Sequence, residues 1–368
     1  MVEERKRILK MVEQGKLTVD EALTLIEELD KSSKAMEEKQ EQWVTELSTV
    51  VKSEEQKQKS EYKSQDTFQS TKEKFFDFVD SAVKKIKEFD LDLNFGKHAE
   101  VSHIFQQTEA DIKYMDIDIA NGHVSIIPWD QKDIRVECEA QVYKGESQEE
   151  AKEYFLKEIT FEVRGQRLYF TTGQKSIKLK AKVYIPQQEY DQFDIRMFNG
   201  SIEGKELNVK QTKIKTAIGK ITIDHIRSEE VEAETANGGI QFIGSQIGKL
   251  EAETLNGGIQ VEGDFRKLEL QSFNGDISAQ ILGATCEWLE ATTTTGAIEC
   301  VIPEPYSVNG DLKSNLGNFT VDLDGIQIVE EKNELIQKNL GFKSIQESSH
   351  PLRLFAETKT GSIAVRKA

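Results

Sequence analysis

Residues 231–242 read VEAETANGGIQF, and residues 250–261 read LEAETLNGGIQV. The second stretch repeats the first at an offset of 19 residues, with Ala233 matched by Ala252, Thr235 by Thr254 and Asn237-Gly238-Gly239-Ile240 by Asn256-Gly257-Gly258-Ile259. Outward from this pair, the same glycine, placed two residues before an apolar side chain, recurs at Gly122, Gly200, Gly219, Gly238, Gly257, Gly275, Gly296, Gly317 and Gly361. From Gly200 to Gly317 the steps are 19, 19, 19, 18, 21 and 21 residues. A fixed period near twenty marks a stack of like units.

Aligning the glycines shows what each unit buries. Three residues ahead stand Thr216, Thr235, Thr254, Ser272, Thr293, Ser314 and Thr358; five ahead stand Ile195, Ile214, Ala233, Ala252, Leu270, Ala291, Leu312 and Ala356. Four residues beyond it come Ile223, Phe242, Val261, Ala279, Cys300, Val321 and Val365. Each unit is therefore two period-two segments meeting at the glycine: strand, tight corner, strand. Asn and Gly suit the corner because they tolerate positive φ. Asn-Gly between alternating strands also signals hairpins, so an antiparallel meander or sandwich is the competing arrangement. Equal spacing with in-register columns favours a mainly β chain with an α-helical N-terminus, built as a β-solenoid of two-strand repeats of about 19–21 residues. The unit is too short for a propeller blade of ~40–45 residues.

The chain ahead of the repeats reads differently. Ile8, Leu9, Met11 and Val12, then Ala22, Leu23, Leu25, Ile26 and Leu29, give two short amphipathic helices over residues 1–31. Gly15 is suited to ending the first, and Thr18 with Glu21 has capping-box spacing for the second. Such a hairpin buries too little to stand alone, so it needs a second copy or another surface of the chain. Residues 32–67 are a polar linker or a weak solvated helix. Residues 68–98 hold an aromatic stripe, Phe75, Phe76, Phe78, Val79, Val83 and Ile86, opposite several lysines. That stripe suits a lipid interface, a partner, or the open end of the solenoid. Residues 99–368 form the β-repeat domain, with a helix expected from Ser147 to Ile159, where Ser147 and Glu150 again have capping-box spacing.

Charge and chemistry bound the function. The net charge is −17; residues 1–98 carry 18 basic and 22 acidic side chains and the remainder 30 and 43, so most of the excess, −13, lies in the β region. That balance argues against nucleic acid, which needs cationic phosphate contacts. No GxSxG, HExxH or GxGxxG fingerprint occurs, so no catalytic, cofactor-binding or metal-binding residues are assigned. His98, His103, His123, His225 and His350 are scattered singly. Asp116 with Asp118, and Asp322 with Asp324, lack the further ligands of a calcium loop. Cys138, Cys286 and Cys300 have no metal-ligand spacing and read as small core residues. With no apolar run long enough to span a bilayer and no apolar leader, the expected compartment is the cytoplasm, with peripheral membrane contact through residues 68–98.

The stretches Glu3-Glu4-Arg5-Lys6-Arg7-Ile8-Leu9 and Gly15-Lys16-Leu17-Thr18-Val19-Asp20-Glu21-Ala22 resemble the SHOCT-like hairpin of the YvlB/LiaX family. Phe75-Phe76-Asp77-Phe78-Val79-Asp80-Ser81-Ala82, with Phe89-Asp90-Leu91-Asp92-Leu93-Asn94-Phe95-Gly96, resembles that family's junction segment, and the Asn-Gly-Gly-Ile units are similar to its adhesin-like repeat domain of unknown function. The resemblance implies a non-enzymatic protein of the Gram-positive cell-envelope stress response, linked to antimicrobial-peptide sensing and to restraint of a membrane signalling system. It leaves release to the cell surface open and brings no active-site residues. The functional expectation is a regulatory scaffold that binds a protein, cationic peptide or envelope component on its acidic repeat face, with homo-oligomerisation through the hairpin. A surface adhesin-like module is the alternative, and a carbohydrate-active β-helix enzyme ranks below both.

Overall fold

A computed structural model describes residues 2–13, 17, 19, 22–27, 29–31, 34, 36, 38–39, 97–304, 306–334 and 337–368. The aromatic stripe Phe75, Phe76, Phe78, Val79, Val83 and Ile86 lies outside the described residues, as do Gly15, Thr18, Glu21 and residues 40–67 of the linker. Helix α1 spans Val2–Glu13, and residues 22–27 and 29–31 are helical, as are residues 34, 36, 38 and 39. Ile8, Leu17, Ala22, Leu25 and Leu29 are buried together, whereas Leu9 and Leu23, one residue off the apolar stripe, are exposed. Arg5 pairs with Asp30 across this cluster.

The β region begins with β1 (Ala99–Gln107), β2 (Tyr114–Trp129) and β3 (Ile134–Val142), continues through α2 (Gln148–Glu158), and resumes with β4 (Thr160–Arg164), β5 (Arg167–Thr172) and β6 (Ile177–Pro186). Ser147 caps α2, accepting the Glu150 N–H at 3.2 Å, while the Glu150 carboxylate accepts the Glu146 N–H at 2.9 Å. Here the strands are mixed: β1 with β3, β3 with β6 and β4 with β5 run antiparallel, and only β2 pairs parallel, with β5, β6 and the next strand.

From β7 (Tyr190–Ile218) the solenoid is regular. β8 (Ile221–Asn237), β9 (Ile240–Asn256) and β10 (Ile259–Asn274) each take one corner-to-corner path round the coil, and all pair in parallel. The sequence columns become ladders: Ile221, Ile240, Ile259 and Ile277 lie side by side, as do Ala233 and Ala252, and Thr235 and Thr254. Inward positions are sealed, with Phe193, Phe242 and Phe265 fully buried. This parallel stack replaces the meander alternative for the repeats, and antiparallel pairing is confined to the two ends.

Past β10 the order in space departs from the order in sequence. β11 (Ile277–Ile281), β12 (Trp288–Thr293) and β13 (Ile298–Ile302) continue the stack. The next coil in sequence, β14 (Tyr306–Ser314) and β15 (Phe319–Asp322), does not sit against it. A hairpin of β16 (Ile326–Asn333) and β17 (Lys338–Ser344) pairs antiparallel with β14. Then β18 (His350–Thr358) and β19 (Ile363–Lys367) slot between the two coils, pairing with β12 and β13 on one side and with β14 and β15 on the other.

The corner explains the glycines. A Cβ on Gly219, Gly238, Gly257, Gly275 or Gly296 would sit 1.9–2.0 Å from the carbonyl oxygen of the preceding corner glycine, and one on Gly361 would meet that of Gly296 at 1.8 Å. Positive φ, the reason read from the sequence, holds at Gly122, Gly200 and Gly219, with φ of +141° to +152°. At the other six column glycines the requirement is close backbone approach alone. The preceding corner's carbonyl also accepts a hydroxyl: Thr235 donates to the Gly219 oxygen at 3.0 Å, Thr254 to Gly238 at 2.8 Å, Ser272 to Gly257 at 3.0 Å and Thr293 to Gly275 at 2.9 Å. Thr358 donates to Gly296 and Ser314 to Gly361, which reproduces the inserted order of the last coils.

Gly257→Ala is expected to cost on the order of 3 kcal/mol, because the obstacle is backbone and cannot rotate away. Gly239→Ala, whose added Cβ would lie 3.3 Å from the Gly258 oxygen, should cost far less. Thr254→Val, which strands the Gly238 carbonyl, should cost about 1–2 kcal/mol. Urea denaturation midpoints rank the three, and equal losses for the two glycine variants would refute the corner argument.

Candidate interaction surface

On each strand ahead of a corner, residues three, five and seven positions before the glycine face the core, and those two, four, six and eight before it face outward. Stacking turns the outward positions into columns. One runs Lys213, Glu232, Glu251, Glu269, Glu290, and its neighbour runs Lys215, Glu234, Glu253, Gln271. Like charges thus lie one strand spacing apart, about 4.8 Å.

Lysines interleave to relieve that repulsion. Lys213 Nζ lies 2.8 Å from Glu232, and Lys215 Nζ lies 3.3 Å from Glu232 and 2.7 Å from Glu234. Lys249 approaches Glu251 at 3.2 Å and Glu269 at 3.4 Å, and Lys267 reaches Glu269 at 2.6 Å, holding that carboxyl below its usual range. Glu234 is the exception. Burial and its hydrogen-bonded contact with Glu232 raise its pKa against the pull of Lys215.

Toward the β2 end the same two columns hold a further cluster. Arg196 lies 3.2 Å from Asp118 and 3.5 Å from Asp116, so this carboxylate pair is matched to a guanidinium. Asp118 is only 8% exposed, and burial pushes its pKa up to about 6 even with Arg196 beside it. Asp324, of the second pair considered for calcium, is bound by Lys367 at 2.9 Å.

The remaining candidates stay apart. His123 faces Glu203 at 3.6 Å, and His225 faces its neighbour Asp224. His98 lies tilted against Tyr143, and His103 and His350 meet Phe105 and Tyr306 edge-on. The three cysteines are buried free thiols, pushed up to about 12 by burial. Among the described residues no three His, Cys, Asp or Glu side chains are grouped to hold a metal ion. No helix among them is long and apolar enough to cross a membrane.

The sequence reading missed the column two residues before each corner. Ala217, Ala236 and Leu255 point away from the core by parity, yet their exposures are 1%, 0% and 3%. Met36 packs on Ala236 and Leu255, and Lys39 pairs with Glu253. At the other end of the rod, Leu316 packs against the Ile8–Leu29 cluster. In this single chain, then, the helical region docks on its own solenoid. The available signal was the lack of charge at Ala217, Ala236 and Leu255 among outward residues that are otherwise mostly charged.

These features define a parallel β-solenoid that displays a charged sheet and carries a helical N-terminal region docked along one side. The chain belongs to the Toastrack DUF4097 family, which matches residues 112–366, and residues 3–34 match the SHOCT-like domain. It is 45% identical over 366 residues to the "Uncharacterized protein YvlB" of Bacillus subtilis, spanning 100% of this chain and 99% of that one. Among solved structures, a "putative lipid binding protein" from Parabacteroides distasonis aligns with a TM-score of 0.44 and 14% identity, covering 73% of this chain and 96% of that one. A "putative adhesin" from Bacteroides fragilis aligns with a TM-score of 0.35 and 8% identity, covering 72% and 97%.

The raised Asp118 sets a pH dependence. From its ordinary 3.8 up to about 6, the folded chain holds a proton that the unfolded chain has released, so stability falls as pH rises through that window. Asp118→Asn is therefore expected to stabilise the chain by about 2 kcal/mol above that window and by little below it. Thermal melts across pH read this directly, and a gain independent of pH would contradict it.

Proposed function

We propose that this chain is a non-enzymatic scaffold or regulatory protein of the bacterial cell envelope that binds a cationic peptide or protein segment on the outward face of the sheet ahead of the corners. The observation that carries the reading is the carboxylate columns of β8, β9, β10 and β12, mounted on a rigid stack. Glu230, Glu251 and Glu253 are 53%, 52% and 15% exposed at their side chains, giving one open and one covered part of the same face. Lysines neutralise part of each column but leave a negative surplus, which attracts a cationic partner over a Debye length and suppresses acidic ones.

The envelope role rests on the resemblance to the YvlB/LiaX family, and the 45% identity to YvlB over the whole chain supports that membership. Residues 68–98 would supply peripheral membrane contact in this reading, and a second copy of the hairpin would supply oligomerisation. The rod offers display area, and among the described residues no nucleophile, base and oxyanion donors converge, which supports binding over turnover.

Calorimetric titration with an amphipathic Lys/Leu peptide of about 18 residues tests this. Binding is expected at about 20 mM salt and should weaken roughly tenfold or more by about 300 mM. The triple variant Glu230→Gln, Glu251→Gln, Glu269→Gln should weaken it at low salt. No binding to the wild-type chain at low ionic strength would remove the proposal.

A further inference from the structure

The buried strip beside the corners has the makings of a helix-docking site. Its floor is Ala217, Ala236 and Leu255, small or apolar residues on three successive coils. Its wall is the column of Lys215, Glu234 and Glu253, whose side chains are only 11%, 16% and 15% exposed. Outward positions on a solenoid are buried only when something lies on them. Here that is helical chain: Met36 covers Ala236 and Leu255, and Lys39, one turn further on, pairs with Glu253.

The direction of the helical region follows from its contacts. Leu29, with Ile8 and Leu25, borders Leu316 and Thr360 on the last two coils, while Met36 reaches the β8 and β9 coils. The segment thus runs along the rod, across the strands. That is the orientation in which a helix and a stack nearly match: one turn rises about 5.4 Å, and coils repeat about every 4.8 Å. An apolar residue with a cation three positions later, as Met36 and Lys39 are, can thus meet the apolar floor and the acidic wall together.

We infer that this strip is a docking site for a cationic amphipathic helix, and that the helical segment bearing Met36 and Lys39 occupies it as an internal competitor that an external helix must displace. The inference rests on the cationic-partner reading above and locates the partner on the covered part of the acidic face. The apolar floor selects a helical, amphipathic partner over an extended polybasic one. The internal segment lowers the apparent affinity by the fraction of time the strip is closed.

The experiment uses the full chain and the Lys/Leu peptide as probe. Met36→Asn with Lys39→Gln loosens the internal segment without touching the solenoid, and should tighten peptide binding roughly tenfold. Lys205→Gln, the same charge change on the strand leaving the Gly200 corner, should leave affinity unchanged. Adding Leu255→Glu to the loosened variant should abolish the gain, with circular dichroism showing whether the stack is intact. If Leu255→Glu unfolds it, Ala236→Gln blocks the same floor. Equal affinity for the wild-type and loosened chains would overturn the inference while leaving the cationic-partner reading in place. Absence of binding by both would overturn both. Dimerisation of the loosened variant without a gain in peptide affinity would name a second copy as the occupant and overturn the inference as stated.

Discussion

The approach of one corner glycine to the carbonyl of the corner before it fixes the rest of this protein. It brings successive backbones to a separation at which no Cβ fits, and it places a buried carbonyl within reach of a threonine or serine hydroxyl from the next coil. A buried carbonyl without a donor is costly, so the hydroxyl column and the glycine column are one device. With the corner locked, both flanking strands are held in register, and a slip by one residue would turn Ala233 and Ala252 outward and drive Glu232 and Glu251 into the core. The same device sets the spacing at which surface charges stack, so the electrostatics of the exterior follow from a constraint inside the corner.

Much of this was legible because a solenoid converts sequence period directly into spatial register. The residues aligned on Gly238 and Gly257 are the residues that touch. The order of the last coils was not legible. Each coil bears the same signature, and Gly361 with Thr358 fits beneath Gly317 as well as above it in sequence terms. Only the long step from Gly317 to Gly361, which holds the β16–β17 hairpin, hinted at an excursion. The antiparallel strands at the β1–β6 end were legible as alternation but not as partners, since alternation alone carries no direction. On the surface, the carboxylate columns could be read, but their lysine partners could not, because Lys249 reaches three different strands at once.

The interleaved lysines show how such a stack keeps an acidic face without tearing itself apart. Two carboxylates at one strand spacing repel by about 1 kcal/mol in water, and by several times that where solvent is excluded. Lys213 and Lys215 stand at one end of the columns and Lys249 and Lys267 beside the middle, so that most carboxylates touch a cation. Where cover excludes water and the cation is shared, the carboxyl pKa rises, as at Glu234, where burial outweighs the pull of Lys215. The acidity of this face is therefore uneven: open to solvent at Glu230 and Glu251, muted beneath the helical segment.

Helix pitch and coil repeat are close but unequal, and that mismatch limits what a helix can do on this rod. A difference of roughly 0.6 Å per step accumulates to half a side-chain spacing within about four or five coils. A straight helix can thus match the stack only over a few coils before its anchors fall between strands. The described contacts agree with that limit, one group at Leu316 and another at Ala236, Leu255 and Glu253, each local. A segment whose described contacts fall in two local groups can open at one end without releasing the other. That is the mechanical condition for a partner to enter over β8 and β9 while the hairpin stays seated at Leu316.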